Sequence, residues 1–144
     1  MRLETKGEFQ PPPKLKGPAQ SVSLAIQSWP SVIAATHWFL YDRTQVDGTD
    51  FYVGEKELGH IHLDGELHLG VTAGLRRQLI EAGRAEALPW AEDWVQAPIS
   101  SRQDAVNALW LFQLGYDRLV GVPIFNLRRR IREAVSPDAT GAVA

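Results

Sequence analysis

A chain of 144 residues is the length of one domain, and its 44% apolar and 22% charged composition is that of an ordinary globule with enough material for a real core. A formal net charge of −2 gives no electrostatic case for nucleic acid or an anionic membrane as the main partner. The absence of cysteine excludes disulfides, thiolate metal sites and cysteine nucleophiles.

The first segment, 1–18, carries Pro11-Pro12-Pro13 and Gly17-Pro18 among charged residues and reads as an extended or disordered arm. It lacks the apolar run of a secretory signal, and no stretch approaches the roughly 20 apolar residues that span a bilayer. A soluble, cytoplasmic protein without a membrane partner is expected. Residues 135–144 read as a loose tail, leaving 19–134 as a single folded domain.

Within that body, Ser21 to Trp29 predicts a short helix closed by Pro30. Four strands follow, near 34–41, 49–53, 56–62 and 66–71, with Asp47-Gly48, Gly54-Glu55 and Asp64-Gly65 as turns. Alternation slips at Leu58-Gly59, where a bulge would restore the phase and re-aim the strand that follows. A helix near 72–82 places Leu75 and Leu79 on one face, with Arg77 and Glu81 as a helical pair and Gly83 as its cap. The run from Trp94 to Ile99 predicts another strand, at an edge or ending at Pro98. Ser100 with Gln103, or Ser101 with Asp104, starts a helix over 101–120 that is apolar around most of its girth and should lie deep against the sheet. A final amphipathic helix over 124–134 carries Arg128, Arg129, Arg130 and Arg132. The order α-β-β-β-β-α-β-α-α predicts an α+β fold, an antiparallel meander packed against helices.

Three of the four histidines, His60, His62 and His68, fall on the two arms of the 56–71 hairpin. They share even positions with Glu66, whereas Ile61, Leu63, Leu67 and Leu69 are odd. A hairpin loop with an odd residue count puts all the even positions on one face and the apolar ones on the other, which a core requires. His60, His62 and His68 can then ligate a divalent metal or transfer protons, with Glu66 as a further ligand, orienter or base. The plain alternative is the wet face of an amphipathic hairpin, with Glu66 a solvent-facing turn carboxylate. His37, beside Trp38, reads as structural, though it could reach the cluster across the sheet. Trp90 and Trp94 flank a loop and suit the rim of a pocket for a flat ring, while Trp110 reads as core. The arginines of the last helix read as its solvated face, and nucleic acid is disfavoured.

The run Glu57-Leu58-Gly59-His60-Ile61-His62, with Asp64-Gly65 and His68, resembles the luciferase-domain family. The resemblance continues through 75–85, Trp94-Val95 and 101–116. That family consists mostly of small bacterial proteins, together with fungal luciferases that oxidise a planar hydroxypyrone with dioxygen and emit light without a separate cofactor. The resemblance maps the family's histidines onto His60, His62 and His68; from their own positions Glu66 or Trp94 would assist them. Many relatives carry serine where Glu66 stands. It implies a pocket for a small aromatic or enolic molecule that is oxidised or deprotonated there, in an oxidoreductase-like or oxygenase-like enzyme. It requires no cofactor, so a metal at the three histidines stays open. The element order also resembles, at fold level, the YjbR-like double-wing proteins, which implies the contrasting reading of a non-catalytic, DNA-binding module.

Overall fold

The computed structural model describes residues 9–134. Ten elements follow in order: α1 (Pro18–Gln27), β1 (Val32–Phe39), β2 (Asp42–Val53), β3 (Lys56–His62), β4 (Glu66–Gly70), α2 (Ala73–Glu81), β5 (Glu86–Ala87), β6 (Trp94–Pro98), α3 (Arg102–Leu119) and α4 (Ile124–Glu133). The strands form one antiparallel sheet in the order β1-β2-β3-β4-β6-β5. The α+β class and the meander are as expected. The two-residue β5 was not foreseen, and it makes β6 an inner strand; Pro98 is tolerated because it ends β6.

All four helices bury side chains in a single core with one face of the sheet. The odd residues Phe51, Ile61, Leu67, Leu69 and Val95 form that face. Phe112 of α3 meets Phe51 edge-on, with ring centroids 5.6 Å apart. α3 comes so close that a Cβ on Gly115 would lie 2.9 Å from Leu69 Cδ1. Burying each such aliphatic or aromatic side chain contributes about 1.5–3 kcal/mol. The outer side of α3 is not buried: Val106 and, just past its end, Val120 are exposed, and Trp110 lies half-buried under the Arg84 guanidinium at 4.8 Å. The helix is therefore less enclosed than its apolar girth suggested.

Caps follow the expected chemistry at two helices. Ser101 Oγ accepts from the Asp104 amide, and Thr72 Oγ1 accepts from the Leu75 amide. α1 begins at Pro18, earlier than expected, because proline at the first helical turn lacks an N–H that would go unpaired there anyway. Residues 9–17 are part of the expected arm but are held: Leu15 is buried in the core, and the carbonyls of Gln10 and Pro11 accept from Thr36. The remainder of the arm and the tail at 135–144 lie outside the described residues. Among those described, no helix is long and apolar enough to cross a membrane.

The β1–β2 hairpin turns at Leu40-Tyr41, not at Asp47-Gly48, which lie inside β2. Gly48 sits opposite His37 on one side and His62 on the other. A Cβ there would meet the Ile61 carbonyl oxygen at 2.0 Å, so the glycine allows a close strand approach rather than a turn.

Candidate functional site

The β3–β4 loop is Leu63-Asp64-Gly65, three residues, and the register pairs His60 with His68 and Ile61 with Leu67. The odd loop puts His60, His62, His68 and Glu66 on the face away from the helices. Gly65 supplies the positive φ of 90° for the turn, and its amide donates to the His62 carbonyl. The row continues across the sheet as Asp50, His60, His68 and Gln96.

Two bulges enlarge the set. β3 carries one extra residue between Glu57 and Gly59, so the odd residue Glu57 joins the even face beside His60. This is the expected slip at Leu58-Gly59. A second irregularity, where His37 pairs with Gly48 but Trp38 with Val46, leaves Asp47 as the extra residue of β2. Its carboxylate reaches His62. Bulges re-aim side chains in this way at sites.

The result is a nest of four imidazoles, each with a carboxylate behind it. His60 Nδ1 lies 3.3 Å from Glu57 Oε1, and His62 Nδ1 lies 2.9 Å from Asp47 Oδ2. His68 Nε2 lies 3.0 Å from Glu66 Oε1, and His37 Nδ1 lies 2.7 Å from Asp50 Oδ1. The opposite nitrogens turn toward one another: His68 Nδ1 is 3.2 Å from both His60 Nε2 and His62 Nε2. His37 crosses over Gly48 to stack on His60, centroids 4.1 Å apart. His37, which reads as structural in the sequence, thus belongs to the nest. Glu66 is 43% exposed, yet it is bound to His68 rather than free in solvent.

Electrostatics favour the neutral form of His60 and His62. Burial, against the pull of Glu57, pushes the His60 imidazole down to about 3. Burial and the neighbouring His68 lower His62 as well, partly offset by Asp47. Beneath them Asp50 is buried and accepts a hydrogen bond from the Tyr52 hydroxyl at 3.4 Å. Burial and the Asp50 charge hold Tyr52 in its phenol form, its pKa raised.

The nest floors a cavity of about 750 Å3. Trp94 stands over His60 at 5.6 Å and Trp90 over His68 at 6.2 Å between ring centroids. Leu40 and Tyr41 of the first turn line it too, and these two and Trp90 are largely exposed, an apolar rim above a polar floor. A second cavity, about 650 Å3, lies against Arg118 and Asp93 and shares Glu57 and Trp94 with the first. The arginines of α4 are elsewhere: Arg130 pairs with Asp117 and Arg129 with Glu133, while Leu127 and Ile131 face the core.

Residues 55–115 match the luciferase domain family. The luciferase-domain match runs from β3 into α3 and contains His60, His62, His68, Glu57, Glu66 and both pocket tryptophans. It stops short of β1 and β2, so His37, Asp47 and Asp50 join the site from outside the matched segment. No curated protein and no solved structure matches the chain.

Proposed function

We propose that this luciferase-domain chain binds a small, flat, aromatic or enolic molecule in the histidine-floored cavity, with its acidic oxygen at the nest and its ring against Trp94 and Trp90. The observation that carries this reading is the cavity itself, which sets two indoles, one tilted over His60 and one edge-on to His68, above a floor of imidazole nitrogens. Its volume lies in the range of small-molecule sites, and it combines apolar walls with a few converging polar atoms. His60, His62 and His68 accept the hydrogen of that oxygen at their inward nitrogens and draw its O–H toward ionisation. Glu66 orients His68 from behind, and Trp94 positions the ring. Ionising an enol or phenol makes its ring electron-rich, so oxidation of the bound anion by dioxygen is the reaction class to assay first.

The test uses nitrophenol and a simple hydroxypyrone as probes. Saturable quenching of tryptophan fluorescence is expected, with the nitrophenol spectrum shifting toward its anion on binding. Trp90→Ala should weaken binding roughly threefold to tenfold, the scale of one aromatic contact. Absence of saturable binding by either probe would refute the reading.

A further inference from the structure

A neutral imidazole has one N–H and one lone pair, while an ionised carboxylate only accepts. Asp47, Glu57 and Glu66 therefore place the N–H of His62, His60 and His68 on the outward nitrogens. The inward atoms, His60 Nε2, His62 Nε2 and His68 Nδ1, are then all lone pairs. Two of them face the third at 3.2 Å with no hydrogen to share. Lone pairs gathered at that distance call for a positive centre among them.

We infer that His60 Nε2, His62 Nε2 and His68 Nδ1 form a binding site for one divalent first-row transition ion, with its remaining coordination position open to the cavity. Two further observations support it. His68 Nδ1 lies 3.2 Å from each of the other two nitrogens, close to the edge of a tetrahedron with metal–nitrogen bonds near 2.0–2.1 Å, about 3.3 Å. A carboxylate stands behind each ligand ring, the arrangement that fixes tautomer and orientation at histidine metal sites. All-imidazole ligation selects zinc, iron, copper or nickel over magnesium or calcium. Three protein ligands and an open position facing a pocket are the form of a reactive centre rather than a structural one. This inference deepens the pocket reading and rests on it only for the use of the open position, where the ion would hold the oxyanion of the guest.

The full chain, stripped with a strong chelator, is titrated with Co2+ and then with Zn2+. One ion per chain is expected, with the visible absorption of Co2+ in nitrogen ligation, displaced by Zn2+. His62→Ala and His68→Ala should each abolish the stoichiometric phase, and Glu66→Gln should weaken it roughly 10- to 100-fold. Loss of an unstable variant's fold would show in its circular dichroism, and the wild-type titration with the Glu66→Gln variant then decides. No stoichiometric binding by the wild type overturns the inference, as does unchanged binding in the His62→Ala/His68→Ala double variant. His37, His60 and His62 also bring ligand atoms within 4.8 Å of one another. Retained binding in His37→Ala supports the trio given above, and its loss overturns that ligand set. Probe quenching that persists without metal, beside a failed titration, removes the ion and leaves the pocket. Metal binding without probe binding does the reverse.

Discussion

Acidification of the metal-free protein between about pH 7 and about pH 5 should destabilise it through His60. In the folded chain this ring titrates near 3, against 6.5 for an unperturbed histidine. The unfolded chain therefore binds more protons at every pH between those values, and stability falls as pH falls. The contribution is present in full above about 6.5 and is lost progressively down to about 3. Each unit below 6.5 costs about 1.4 kcal/mol, so roughly 2 kcal/mol disappears by pH 5 from this one group. His62, lowered in the same direction, adds to the loss. Against a typical domain stability of about 5–15 kcal/mol, this is a large fraction. Carboxylates such as Asp104, held below 3.8 by hydrogen bonds to Ser100 and Ser101, lose their contribution only at lower pH, so the two effects separate. Urea unfolding at closely spaced pH values, with chelator present, measures the slope. His60→Gln should reduce that slope near pH 5 by about one proton, or about 1.4 kcal/mol per pH unit. A variant that keeps its circular dichroism spectrum and the wild-type slope would show that His60 is not the buried neutral ring described above.

Other perturbations follow from the same geometry. Gly48→Ala puts a Cβ 2.0 Å from the Ile61 carbonyl oxygen and 2.9 Å from His62 Cα, so β2 and β3 must part. A loss of about 1–3 kcal/mol in urea unfolding is expected, together with weaker probe binding, and wild-type values for both would contradict the close approach. Leu67→Ala empties a fully buried position directly under the histidine face and should cost about 2–5 kcal/mol by the same measurement. Ser101→Ala removes the cap on the Asp104 amide and should cost about 1 kcal/mol, visible as a lower thermal midpoint.

The β3–β4 hairpin was legible in the sequence because its two periodic signals agreed. Even histidines and odd aliphatics admit one register that buries the aliphatics, and the three-residue loop is that register. The helices after β4 and β6 were legible for a similar reason, since Ser101 and Gly83 mark ends that hydrophobic spacing leaves vague. β5 was not legible: two residues carry no period, and Glu86-Ala87 become a strand only because β6 offers them an edge. Asp47-Gly48 misled because Asp-Gly is turn chemistry in isolation. Here the glycine answers a steric demand set by β3, a partner distant in sequence.

The same long-range logic explains which half of the nest stayed hidden. A period of two assigns faces only between bulges, and Asp47 is itself a bulged residue while Glu57 stands next to one. Read by parity alone, each odd carboxylate belongs with the core residues. One extra residue in each strand turns it to the histidine side, where it anchors a ring. His37 needed a different fact, that the residue between it and His62 has no side chain to block its reach. Each strand irregularity therefore has a chemical counterpart. Glu57→Gln tests that counterpart in β3. It keeps the strand geometry and an acceptor oxygen but loses the charge behind His60, so Co2+ affinity should fall roughly 10- to 100-fold with the circular dichroism unchanged. Unaltered affinity would mean that the bulge serves the sheet and not the site.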